Sequence, residues 1–244
     1  MTFFEILPAL TIGIVFILIA FRQLLSSSIQ IWHIMLGGAL FSLLTGSISL
    51  THGLKAINID VMIFLFGMFV VGEALVISGY LYEFSMRFFS YTRTTSQLVL
   101  AVLFVMGGLS SILMNDTIAI IGTPLVLWFA KKDNISPKLL LLTLCFAITL
   151  GSVPSPIGNP QNLLIAVNGR VDAPFFTFFK YLALPTVVNT LLTFIILRLL
   201  YKKEFHDTPL IKVRVPAKDP QLALISRISL GTALLLILIK IASA

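Results

Sequence analysis

Charge is what this chain has least of. Asp, Glu, Lys and Arg make up only 11% of its 244 residues, against about a quarter in ordinary soluble domains. Mean hydropathy is +1.03 and 58% of the residues are hydrophobic, which marks an integral membrane protein. Cysteine is nearly missing too. Cys145 stands alone in an apolar run, so no internal disulfide forms and it reads as a small core residue. No His/Cys cluster supports a metal enzyme, and no Gly-rich loop precedes a Lys-Ser/Thr pair. An intramembrane aspartyl protease needs two facing carboxylates; Asp116 and Glu73 are the only candidates, and nothing in the spacing brings them together. The reading is therefore not an enzyme and expects no cofactor beyond a coupling proton or sodium ion. The N-terminus has Glu5 where a secretory signal carries positive charge, and lipidation and retention motifs are absent.

What the chain has is long apolar runs broken at telling places. Spans are expected at Ile6–Phe21, Ile31–Leu50 and Val61–Tyr80. Gly37, Gly38 and Gly46 in the second suit close helix packing, and Trp32 with His33 suits an interface. Leu81–Tyr91 interleaves aromatics with Glu83 and Arg87, as an interfacial helix does. Phe175–Tyr201 is a long span, Lys202–Pro220 the longest polar loop, and Ser226–Ser243 a last span. The net charge of +7 is not a sign of nucleic-acid binding, because the cations fall in short loops. With the N-terminus outside, thirteen of the 17 Lys and Arg residues lie on the cytoplasmic side; Lys55, Arg170, Lys180 and Lys240 do not. The expected location is the plasma or inner membrane, multi-pass.

Two segments depart from simple spans. Leu98–Met114 and Ile118–Ala130 flank Asn115-Asp116-Thr117. At 1.5 Å per residue these arms are about 25 Å and 20 Å long, short of the ~30 Å hydrocarbon core. The expectation is a re-entrant hairpin with its tip inside the membrane. The second segment, Leu139–Val167, is apolar at both ends and holds Gly151, Pro154, Pro156, Gly158 and Pro160 between them. Proline removes backbone donors and stops the helix ladder. Irregular backbone at membrane depth survives only where it is buried in protein or lines a polar cavity, and in transporters such breaks form the site.

Candidate ion-binding residues follow from these breaks. Asp116 is an ionisable group between apolar arms, which by default marks an ion or substrate path. Asp116 and Thr117 also stand where a helix cap would stand for an arm starting at Ile118. Asn159 and Pro160 fit an N-cap and first-turn proline for a second half-helix, and Ser155, Asn159 and Asn162 offer oxygen ligands. Glu73 is either a proton relay or a paired carboxylate. Ser110, one turn before the tip, either faces the site or packs the arms.

Three motifs resemble one family. Leu113-Met-Asn-Asp-Thr-Ile-Ala-Ile-Ile-Gly-Thr-Pro124 is similar to the hairpin tip of the arsenite-permease and NhaD-type sodium/proton-antiporter branch of the ion transporter superfamily. Pro154-Ser-Pro-Ile-Gly-Asn-Pro-Gln-Asn162 resembles its broken helix, shared with the related divalent anion–sodium symporters, and Glu73-Ala-Leu-Val-Ile-Ser-Gly79 resembles a step in its third span. The resemblance implies that Asn115, Asp116 and Thr117 form one lip of a substrate site and that Gly158, Asn159, Pro160 and Asn162 face it. A sodium ion would lie near Ser110, Asn115 and Asn159, although Met114 stands where sodium symporters place serine. It also implies two inverted repeats and elevator-type displacement.

The fold expected is an all-α integral membrane protein, a polytopic bundle forming one half of an inverted-repeat transporter. Residues 1–201 would be the first repeat, 202–225 a cytoplasmic loop and 226–244 the opening span of a second repeat within a longer gene product. The function expected is secondary transport of a small inorganic or carboxylate ion, an anion permease coupled to protons or sodium. A sodium/proton antiporter is the runner-up, and a non-transporting membrane interaction protein the alternative of another class. Expected partners are the transported ion, membrane lipid, the second repeat and a second copy of the chain.

Overall fold

The computed structural model describes residues 3–25, 29–89 and 91–205, with scattered positions between 224 and 235. Every regular element among the described residues is helical. The chain divides into two compact units, residues 1–60 and 61–244.

The first unit holds α1 (Phe3–Leu25), α2 (Ile31–Leu44) and the short α3 (Leu50–Lys55), with α1 packed on α2. His33 Nδ1 accepts the Gln30 amide at 3.1 Å, which fixes the start of α2. The span expected over Ile31–Leu50 is shorter than that. Gly46 takes a left-handed φ of 70°, so α2 stops at Leu44 after 14 residues, roughly 21 Å of rise.

The second unit is organised around α9 (Pro137–Ser152). It is surrounded by α8 (Asn115–Lys132), by the first arm and by α11 (Pro174–Leu200). Leu139, Leu140, Thr143, Leu144, Ala147, Gly151 and Ser152 of α9 are all buried. Two glycines allow close packing on α9: a Cβ on Gly151 would overlap the backbone of Gly107, and one on Gly122 would strike the Leu144 side chain. The outer helices differ. On α4 (Ile59–Ile77) Phe66 is 71% exposed, and on α11 Leu184 is 72% exposed. Apolar surface of this extent is covered by lipid or by more protein.

Among the described residues, three helices are long and apolar enough to cross a membrane: Ile59–Ile77, Thr95–Leu113 and Pro174–Leu200. The amphipathic segment after α4 is α5 (Tyr80–Phe89), and Gly79 at φ 70° makes the turn into it. The first arm runs through α6 (Thr95–Ala101), a π-helical stretch (Val102–Met106) and α7 (Gly107–Leu113) without interruption. It starts three residues ahead of the expected Leu98. Thr94 Oγ1 accepts the Gln97 amide at 3.3 Å and Gln97 Oε1 accepts the Arg93 amide at 2.8 Å, a reciprocal cap. The first arm is thus about 28 Å and α8 about 27 Å long. Arm length therefore does not separate a re-entrant hairpin from two crossings.

The broken span is broken as expected. It comprises α9, an irregular loop over Val153–Asn159 and α10 (Pro160–Asn168). From residue 206 onward the loop Lys202–Pro220 lies outside the described residues, and the span Ser226–Ser243 falls largely outside them.

Candidate functional site

The tip of the hairpin is a single residue. Met114, buried completely, has φ 68° and ψ 144°, a region that a residue with a side chain enters at a cost of about 1–3 kcal/mol. This one turn ends α7 at Leu113 and starts α8 at Asn115. Asp116 and Thr117 are thus the second and third residues of α8 rather than a cap, and Met114 makes no side-chain cap either. Asp116 is exposed.

The broken loop is held by its own amides. Asn159 Oδ1 accepts the Asn162 backbone N–H at 2.8 Å, the N-cap expected for α10, with Pro160 in the first turn. Asn159 Nδ2 donates to Ser152 Oγ at 3.1 Å. Asn162 Nδ2 donates to the carbonyls of Ser152 (3.2 Å), Val153 (3.2 Å) and Ser155 (2.9 Å). These are carbonyls that the proline break has stripped of helical donors. Ser155 Oγ accepts the Ile157 amide at 3.3 Å. Gly158 is buried and packed on the backbone of Ser152, where a Cβ would overlap it.

Tip and loop meet. The Asn115 backbone N–H donates to the Gly158 carbonyl at 3.0 Å, across 43 residues of chain. Asn115 Oδ1 is buried and receives no hydrogen bond from the described residues. On the other side of the tip, Thr117 packs on Gly72 of α4; a Cβ at Gly72 would lie 2.6 Å from Thr117 Oγ1. Glu73, next along α4, is exposed and is not drawn into the junction. Ser110 is buried, and its Oγ donates to the Ile148 carbonyl of α9 at 2.8 Å. That bond ties the first arm to α9, which is a packing role.

Four helix ends converge here: the C-termini of α7 and α9 and the N-termini of α8 and α10. Helix N-termini carry about half a positive elementary charge and C-termini the opposite. The amides of Asp116, Thr117 and Gln161, in the first turns of α8 and α10, therefore favour an anion, while Asn115 Oδ1 favours a cation. A junction with both kinds of group side by side suits an ion together with its counter-ion.

Comparison with known proteins supplies the family. The family model described as citrate transporter matches residues 14–244. The chain belongs to that family. It stands within the ion transporter superfamily that the tip and loop motifs resemble, among transporters rather than enzymes. Relatives include the putative transporter arsB of Dictyostelium discoideum, 28% identical over 75% of this chain and 33% of its own length. The silicon efflux transporter LSI3 of rice is 30% identical over 55% of the chain and 28% of its own length. The inner membrane protein YbiR of Escherichia coli K12 is 29% identical over 58% and 37%. The chain thus spans about a third of the length of these relatives. No solved structure matches it.

Within this family fold, three residues play parts that sequence reasoning did not give them. Ser152 is the hub of the broken loop, meeting both Asn159 and Asn162; its place as the last small polar residue before the prolines was the available signal. Met114 carries the backbone reversal, and nothing in an ordinary apolar methionine announces a left-handed φ. Gly72 admits Thr117 to the face of α4, a contact visible only in three dimensions.

Proposed function

We propose that this chain is the site-bearing half of a secondary transporter for a small anion, an inorganic oxyanion or a carboxylate, coupled to protons or sodium. The observation that carries the reading is the Asn115–Gly158 bond, which joins a hairpin tip to a broken helix at the meeting point of four helix ends. The N-termini of α8 and α10 hold the anion. Asp116, in the first turn of α8, takes up or releases the coupling proton. Asn115 Oδ1 stands ready as a cation ligand, which favours sodium coupling or sodium/proton antiport as the second reading. The hairpin is re-entrant, the N-terminus lies outside, and the junction moves across the membrane in elevator fashion with a second repeat completing the site. The family description, citrate transporter, supports a carboxylate; the name of the rice relative, silicon efflux transporter, supports a small inorganic solute.

The deciding experiment is an ion-dependent uptake panel with the complete gene product in proteoliposomes. Asp116→Asn should abolish coupled uptake while insertion and thermal stability stay unchanged, because Asp116 is exposed and caps nothing. Uptake that survives this substitution contradicts the role given to Asp116. A scaffold that binds but does not transport would show no uptake of any ion.

A further inference from the structure

At the far end of α11 a cleft of about 470 Å³ is lined by Phe194, Ile195, Arg198, Leu199, Lys202 and Phe205. Four of these are apolar and two are cations, Arg198 in the last turn of α11 and Lys202 just beyond its end. Neither Arg198 nor Lys202 forms an ion pair among the described residues. The acid beside them is engaged elsewhere: Glu204 Oε2 accepts the Ser136 backbone N–H at 2.8 Å, capping the start of α9. Glu204 thus faces the start of α9 and forms an ion pair with neither cation of the cleft among the described residues.

The position of the cleft along α11 is the second observation. Lys180, near the opposite end, lies over the rings of Tyr181 and Phe176, 5.2 Å and 5.9 Å from their centroids. An aromatic and a lysine together mark a membrane–water boundary. Arg198 stands about 27 Å further along the helix axis, close to the ~30 Å thickness of the hydrocarbon core. The cations of the cleft therefore sit at the opposite boundary, at head-group level. Leu199 and Ile195 face outward beside them, 58% and 50% exposed.

We propose that this cleft is a binding site for an anionic phospholipid. Arg198 and Lys202 hold the phosphate, and the apolar wall of Phe194, Ile195, Leu199 and Phe205 takes the upper acyl chain. Charge selects the occupant, because a zwitterionic head group would bring its own cation against the two already present. The proposal depends on the membrane position of α11 and not on the transport reading, so the two fail separately.

Native mass spectrometry of the full chain, released from micelles containing phosphatidylglycerol or phosphatidylcholine, tests it. The unaltered chain should retain one phosphatidylglycerol in clear preference to phosphatidylcholine. Arg198→Gln and Lys202→Gln should each lower that preference about fivefold, the weight of one cation near an anionic surface. Lys180→Gln, at the other end of α11, should leave it unchanged. Equal retention of both lipids by the unaltered chain overturns the proposal, and that readout needs no variant to fold. A double variant that keeps the full preference overturns it as well. So does a dimer, or a protein segment seated in the cleft, that excludes lipid.

Discussion

The two halves of the junction are built in opposite ways. The broken loop over Val153–Asn159 satisfies itself: two asparagines and Ser152 take up the carbonyls and amides that the prolines set free. The tip at Met114–Asp116 does not. It holds a strained backbone, a buried amide oxygen without a donor among the described residues and an exposed carboxylate. Both were expected to offer ligands on equal terms. The difference assigns them separate work. Asn159 and Asn162 spend their side chains holding a loop in shape; in the reading proposed above, the ligand then falls to the tip together with backbone at the helix ends.

The comparison can be broken at several points. Gly158→Ala should have the largest effect, because the new Cβ meets the immobile backbone of Ser152. A cost of about 3 kcal/mol or more is expected, the upper end for overpacking, read as a fall in folded yield and thermal midpoint in detergent. Asn162→Leu should follow at on the order of 2–4 kcal/mol, since three partly buried carbonyls lose a shared donor. Asn159→Ala removes the α10 cap and should cost about 1 kcal/mol. Asn159→Asp, which can still cap, should recover most of that stability in the same melt. An equal or smaller loss for Asn162→Leu than for Asn159→Ala would mean that the break is held from outside the loop.

The legibility of the chain follows the range of the interactions. Pro154, Pro156 and Pro160 act on their own backbone, so the break and the Asn159 cap could be read directly. The tip was readable because Asn-Asp-Thr between apolar arms is a local anomaly. The arm lengths were misjudged at their ends. Thr94 with Gln97 starts the first arm early, and α8 begins at the tip itself rather than at Ile118. The second span was overextended because Gly46 was taken as a packing residue when it makes a turn. Contacts between distant residues left no trace in the sequence. Ser110 with Ile148, Thr117 with Gly72 and Glu204 with Ser136 each join separate helices, and no spacing rule reaches across such distances.

Asn115→Leu, measured beside Asn162→Leu for both thermal midpoint and initial uptake rate, tests the division of labour most directly. The backbone N–H of residue 115 still reaches Gly158, and an oxygen buried without a donor is removed. The account predicts that Asn115→Leu keeps its stability and loses uptake. Asn162→Leu should lose stability, with uptake falling only in proportion to the folded protein. If Asn115→Leu transports normally, or Asn162→Leu stays fully stable yet cannot transport, the loop rather than the tip reads the ion.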